Sequence, residues 1–463
     1  MPSVTTSRPE KISTVEVPSP CTPAEAFKRL AGDGVFFLDS ALQMGEDRAR
    51  YSFLGSRPFM VLKSEGNNIS IRDRNGTTEK KGNPFEELRG LLNRFRYEGF
   101  FDIPFTGGAV GYLSYDLCHF IERLPSTTVD DMGFPEMYFA FYDRVIVYDH
   151  YLKKCLLVGR NTGDDLSDIV SATPKTGPVP AMGAQSSGRA DKPVIRRNFT
   201  KEAYLEAVRR VKEYIAQGDI YQVNLSQRFE TDLTVSPHEL YLRLRAASPA
   251  PFSSYIEFED KAVVSSSPER FLRLSSGRVQ TRPIKGTRPR GRDAASDASL
   301  MAELINSSKD NAELTMIVDL ERNDIGRVCN YGSVRVTGKN TLETYPTVFH
   351  LAATVEGDLH SRYDAVDLIK ATFPGGSITG APKIRAMEII DELEPTRRSV
   401  YTGAIGYIGF NGNMDLNIAI RSFLVKNGRA WFQAGGGIVA DSDPEAEYQE
   451  TLHKARALME SVA

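Results

Sequence analysis

The sequence predicts an α+β protein in which large antiparallel β-sheets are covered by helices. Three observations carry this. Strands and helices come in blocks, not in strict alternation. Short runs of β-branched and aromatic residues are joined by hairpin signals such as Asn411-Gly412 and Asn427-Gly428. Segments with a 3.6-residue apolar period lie between these blocks, as at positions 204, 205, 208, 211 and 215.

Residues 1–20 are polar and rich in Pro and Ser, and read as loosely held. A short helix is expected over 23–31 and a strand over 35–39. Residues 50–63 and 69–72 read as a strand pair turning at Glu65-Gly66-Asn67-Asn68. An amphipathic helix follows over 84–95, then a glycine-containing strand over 107–116 and a hairpin over 137–149 and 153–159. Residues 161–191 are rich in Gly, Ser, Pro and Asp without periodicity, and read as a long surface linker, partly disordered. The expected organisation is a β-rich region over 1–160, a linker over 161–197 and a larger region over 198–463.

In that larger region a helix over 201–217 ends at Gly218, and 221–229 alternates as a strand. A helix is expected over 237–247. Short strands over 254–258, 262–266, 271–274 and 278–281 lead into Arg282-Pro283-Ile284-Lys285-Gly286-Thr287-Arg288-Pro289-Arg290-Gly291. Two prolines and two glycines make that stretch an irregular connection. Residues 293–323 read as one helix, 333–337 and 347–355 as strands, and 363–371 and 383–393 as helices around a loop over 373–382. Strands over 402–410, 414–423 and 430–434 precede a final helix with Asp443 as its cap and Pro444 as its first residue.

Composition excludes several classes. The 463 residues include 57 basic and 60 acidic side chains, a net charge of −3, so nothing points to nucleic acid or an acidic membrane. No run approaches 18 apolar residues, and the first twenty lack the apolar core of a signal peptide. Cys21, Cys118, Cys155 and Cys329 form no CxxC pair, which fits a reduced, cytoplasmic setting.

Several side-chain sets could carry chemistry. Asp310 and Glu313 share one helix face, and Glu447 and Glu450 share another, with Lys454 one turn on. One Glu from each would suit Mg²⁺, which takes few carboxylates and several waters; from the residues alone, a solvated surface pair is the commoner reading of either set. Gly435, Gly436 and Gly437 lie between a strand and the last helix, where backbone N–H groups could approach an anion or simply turn the chain. The Gly- and hydroxyl-rich stretch around Ser377 feeds a helix N-terminus. Glu269, at a strand end, could be a general acid if buried, and Lys285 could be a nucleophile or an ordinary solvated charge.

In order along the chain, DIYQVNLSQ (219–227), SPERF (267–271), PIKGTRPRG (283–291), NAELTMIVDLERNDIGRV (311–328), PGGSITGAPK (374–383), YTGAIGY (401–407), LNIAIRS (416–422) and AGGGIV with EAEYQETLHKA (434–455) resemble the chorismate-utilising enzymes. These comprise the large subunits that form anthranilate and aminodeoxychorismate, with their isochorismate and salicylate relatives. The resemblance implies two large facing antiparallel sheets with helices outside and an Mg²⁺-dependent site. It implies Glu313 and Glu450 as metal ligands with Asp310 and Glu447 close behind. It implies Arg421, Tyr401 and the Gly435–Gly437 backbone around one carboxylate of chorismate, with Mg²⁺ and Lys454 at the other. Thr287, His350 and Ser377 match further pocket positions, and Glu269 the acid that protonates the departing hydroxyl.

Two positions discriminate within the family. Gln222 stands where the isochorismate and salicylate members have a lysine base, which implies ammonia and not water as nucleophile. PIKGT, with Lys285, resembles the aminodeoxychorismate branch, whereas the anthranilate branch typically reads PIAGT. The implied reaction is amination of chorismate to 4-amino-4-deoxychorismate, toward 4-aminobenzoate and folate. A separate glutamine amidotransferase subunit would supply ammonia, and a separate lyase would act on the product. The rival readings are anthranilate formation and a non-catalytic chorismate-binding subunit. FFLDS (36–40) and RYSFLG (50–55), with Ser40, Tyr51 and Ser52, match the region where family members hold tryptophan; they read equally as core strands.

Overall fold

Alternating side chains on the β-runs divide their burial between two faces. Phe36 and Phe53 enter one apolar cluster and their neighbours Phe37 and Leu54 another. The computed structural model describes residues 12–17, 22–30, 32–44, 49–97, 102–160, 193–345 and 348–463. In it the strands form two 12-stranded sheets, paired antiparallel throughout the described residues. One cluster, with Phe36, Tyr112, Val263, Ile405 and Trp431, draws on strands of both sheets and fills the space between them. Two further clusters lie under the helices, one holding Leu240, Leu244 and Leu458 and the other Leu314, Leu368 and Ile389. The architecture is the expected one: two antiparallel sheets face to face with helices outside.

Each sheet is continuous across residue 161: the strands before it form one contiguous part, those after it the other, and the two parts meet at one strand pair. Phe36–Asp39 pairs with Phe252–Phe258, and Gly108–Leu113 with Ala404–Gly409. The expected linker over 161–191 lies outside the described residues. Most of the polar N-terminal stretch does too, but Ile12–Glu16 is a strand paired with Lys154–Arg160, not loose chain.

Three runs that read as single strands each cross from one sheet to the other. Residues 50–63 divide into Tyr51–Gly55 in the first sheet and Met60–Glu65 in the second. Residues 137–149 divide into Met137–Tyr142 and Arg144–Asp149, and 414–423 into Met414–Ile418 and Ser422–Lys426. Two of these corners carry a left-handed residue, Arg57 at φ 56 and Arg421 at φ 51. The strands on both sides of each corner are largely buried, so burial alone does not mark the crossing; in the first run Gly55-Ser56-Arg57-Pro58, with Arg57 exposed, is the one local signal of it.

The single helix expected over 293–323 is two, Ala294–Asn306 and Ser308–Gly326. Ser307 ends the first and caps the second, its Oγ accepting the Asp310 N–H at 3.2 Å. The last helix starts as expected, with Asp443 accepting from the Ala446 N–H at 2.9 Å. The glycine run is not a connection: it lies inside strand Arg429–Ile438, with Gly437 opposite Asn224 and Gly435 opposite Ser226. The PIKGT stretch is also a strand, Ile284–Pro289, paired with Val348–Asp358. Its register shifts between Lys285 and Thr287, and Gly286 at φ 76 is the extra, left-handed residue of the bulge.

The tight turn over 398–402 is held by a buried carboxylate. Asp116 accepts the Ser399 N–H at 3.0 Å, and burial pushes its pKa up to about 7. A raised carboxyl contributes stability that is complete below the unfolded pKa, roughly 3.9, and is lost as pH rises through the folded one. Asp116→Asn keeps the acceptor and removes the ionisation. Its melting temperature relative to wild type is therefore expected to rise between pH 5 and pH 8; a difference independent of pH would contradict this.

Candidate active site

Two of the sheet crossings lie side by side, and the candidate site forms there. Glu269 sits where the chain passes from strand Lys261–Ser267 of the first sheet to Arg270–Ser275 of the second. Its backbone carbonyl accepts the Ile418 N–H at 3.0 Å, and the Ser266 N–H donates to the Arg421 carbonyl at 3.0 Å. The two corners thus fix each other, and with them Glu269 and Arg421.

Ser377, in the short helical turn Gly376–Ile378, donates from Oγ to Glu269 Oε1 at 2.6 Å. Lys285 Nζ donates to the carbonyl of the same serine at 3.1 Å. Lys285, Glu269 and Ser377 are therefore one hydrogen-bonded group. Burial raises the Glu269 pKa, against the opposing effects of the Ser377 hydroxyl and Lys285. Burial lowers that of Lys285; Glu313 opposes this and Lys454 reinforces it. Both groups are thereby moved toward their neutral forms.

The arginines flanking Lys285 are not its cationic neighbours. Arg282 is paired with Glu343 at 2.6 Å, Arg288 with Glu303 at 2.7 Å and Asp310 at 3.1 Å, and Arg290 with Asp297 at 2.6 Å. Lys454 takes that place.

His350 is buried, with Nδ1 at 2.9 Å from Thr287 Oγ1, while its Nε2 is buried without a partner among the described residues. Burial and then Arg421 bring its pKa down to about 3, so the imidazole is neutral near pH 7. Tyr401 is buried in the turn over 398–402, and burial raises its phenol. Tyr345 belongs to this wall and has no signature in the sequence. Its hydroxyl donates to Glu343 at 3.2 Å, and its ring stands edge-on to His350 at 4.9 Å.

The carboxylates gather around Gly436. A Cβ there would lie 3.1 Å from Glu447 Oε2 and 3.4 Å from Glu450 Oε1. Burial raises the pKa of Glu313 and of Glu447, and the Glu450 charge adds to both shifts. Ser442 donates to Glu447 at 2.6 Å, and Gln222 Nε2 lies 3.5 Å from Glu313 Oε2. Lys454 bonds Glu450 at 2.7 Å and the Gly435 carbonyl at 3.0 Å. Asp310 is engaged by Arg288. Among the described residues no three His, Cys, Asp or Glu side chains form a ready-made metal cage. Mutually repelling carboxylates beside a position with no side chain nonetheless fit a hard cation that keeps waters and substrate oxygens in its shell.

Ser40, Tyr51 and Ser52 lie elsewhere. Ser40 and Tyr51 line a separate cavity of about 290 Å³, with Arg50, Pro251, Arg270 and Tyr407. Ser52 sits beside it, donating to Asp39 at 3.1 Å. Asp39 is further held by Tyr241 at 2.9 Å and Arg245 at 2.6 Å. Among the described residues, no helix is long and apolar enough to cross a membrane; Cys118 and Cys329 are buried free thiols, and Cys155 is buried.

Residues 43–460 match the family described as chorismate binding enzyme. The chain is 40% identical over 459 residues to anthranilate synthase component 1 of Acetivibrio thermocellus, covering 95% of this chain and 92% of that protein. It is 40% identical over 429 residues to aminodeoxychorismate synthase component 1 of Bacillus subtilis, covering 89% of each. The structure is similar to anthranilate synthase component I from Streptococcus pneumoniae, with a TM-score of 0.78 and 32% identity over 96% of this chain and 99% of that one.

Proposed function

The chain belongs to the chorismate-binding enzyme family, and from that premise we propose that it aminates chorismate to 4-amino-4-deoxychorismate, with the enolpyruvyl group retained. Relatives of both product names are equally identical to it, so overall similarity does not choose between them. The observation that carries the choice is Lys285, an amine held by burial toward its neutral form in one hydrogen-bonded group with Glu269.

Neutral Lys285 attacks the ring carbon ortho to the carboxylate, and the ring double bonds shift. Glu269 gives its proton to the departing hydroxyl, which leaves as water. Ammonia then forms its bond at the carbon the hydroxyl left, and the lysine is expelled. Arg421, Tyr401 and the Gly435–Gly437 backbone hold one carboxylate of chorismate. Thr287, His350 and Ser377 complete the pocket, and Lys454 faces the second carboxylate. Magnesium, held by Glu313 and Glu450 with Asp310 and Glu447 behind them, would polarise that carboxylate as a Lewis acid. A separate glutamine amidotransferase supplies ammonia, and a separate lyase releases 4-aminobenzoate. The Ser40–Tyr51 cavity would take a tryptophan-like ligand.

The test is mass spectrometry of purified protein with chorismate, Mg²⁺ and an ammonium salt. The expected product has an amine in place of the hydroxyl and keeps its pyruvyl group. Anthranilate, fluorescent and without that group, would overturn the product assignment. No consumption of chorismate would overturn the enzyme reading.

A further inference from the structure

We infer that the side-chain amides of Gln222 and Asn224 form the seat in which ammonia waits, an inference that rests on the amination reading above. The two residues are i and i+2 on strand Gln222–Asp232, so both side chains leave the same face. On the partner strand that face carries Gly435 and Gly437. A Cβ at 437 would collide with the Gln222 amide, and one at 435 would fall 2.8 Å from Asn224 Oδ1. The glycines therefore leave room that the two amides occupy.

Gln222 is 2% exposed and Asn224 9%. Gln222 Oε1 and Asn224 Oδ1 are buried and receive no hydrogen bond from any described residue. A buried acceptor without a donor carries an uncompensated desolvation cost, and two of them on one strand face call for a ligand that brings N–H or O–H donors. The orientation of the Gln222 amide follows from its neighbour: Nε2 faces the Glu313 carboxylate at 3.5 Å, which leaves Oε1 as the open acceptor.

Ammonia fits these groups. It can donate to both oxygens and keep its lone pair free for the ring. Water could fill the same space, but it needs a base to become a nucleophile, and Gln222 and Asn224 supply none. The seat is rigid: the Asn224 N–H donates to the Thr379 carbonyl at 2.7 Å, and the Asn224 carbonyl accepts from Arg398 Nη2 at 2.7 Å. Arg398 is itself buried, paired with Glu394 at 2.7 Å, and bonded at 3.0 Å to the carbonyl of Ile378, next to Ser377.

The experiment is steady-state kinetics with ammonium chloride as nitrogen source, on wild type, Asn224→Leu, Gln222→Met and Asn224→Asp, with chorismate binding measured separately by calorimetry. Asn224→Leu and Gln222→Met each remove an acceptor and are expected to raise the ammonium KM about tenfold or more, with chorismate affinity within about twofold of wild type. Asn224→Asp keeps an acceptor oxygen and is expected to hold the ammonium KM within about threefold. An unchanged ammonium KM in both amide-removing variants, while wild type still makes the amine, overturns the seat and leaves the amination reading standing. Chorismate affinity falling in step with ammonium KM overturns it as well, because the amides would then serve the ring substrate. A wild type that makes no amine overturns both readings.

Discussion

Replacing Lys285 with alanine is expected to lower formation of the 4-amino product by upwards of roughly a thousandfold, the scale seen when a covalent nucleophile is deleted. Lys285 lies beside the bulge at Gly286, which gives the strand an extra residue next to it. Glu269 is held to the same serine and lies close enough to influence its charge. The variant removes the amine but not the walls of the pocket, so calorimetry should still detect chorismate binding. What product remains is expected to be anthranilate, formed by direct entry of ammonia at the ortho carbon as the hydroxyl leaves as water, followed by elimination of pyruvate, which makes the ring aromatic. Single-turnover analysis by mass spectrometry checks both points. Amine formation at the wild-type rate would make Lys285 a bystander and return the chain to the anthranilate reading.

Glu269→Gln is expected to cost between roughly a hundredfold and ten-thousandfold in kcat, the usual range for losing a general acid. Glutamine preserves the shape and can still accept from the Ser377 hydroxyl, so the loss would report the proton and not the packing. The pH profile distinguishes the two. In the wild type Lys285 and Glu269 influence each other's ionisation, so the profile belongs to the pair. Each group must be neutral to act, and a bell results. In the variant only the lysine titrates, so one limb should vanish. A bell of unchanged shape with lowered height would show that Glu269 supports the site without donating the proton.

Much of the candidate site was legible as motif but not as geometry. Lys285, Glu269 and Ser377 come from three separate stretches, and each has an ordinary solvated or loop reading when taken alone. Their hydrogen bonds span 92 and 108 residues. Asn224 left a weak trace, two positions from Gln222 on an alternating strand. Tyr345 and Arg398 left none, because their role lies in what they touch: His350 and Glu343 for the one, Asn224, Ile378 and Glu394 for the other. The flanking arginines were legible as charges, but their acidic partners on other elements were not.

The local rules acted within a few residues, and there the sequence alone was sufficient. Asp443-Pro444 starts the last helix, Gly218 ends the helix over Lys201–Gln217, and Asn411-Gly412 and Asn427-Gly428 turn hairpins, because caps and turns depend on side-chain and backbone contacts two to four residues apart. The ordered motifs likewise placed the chain in its family. Tertiary structure alone decided where three long β-runs break and change sheets. It also made the glycine run and PIKGT strands, since a partner strand supplies the backbone bonds that their own composition does not call for. Those decisions create the site: Glu269 and Arg421 stand at adjoining sheet crossings, and a crossing follows from two layers competing for one run of chain, which side-chain alternation cannot record.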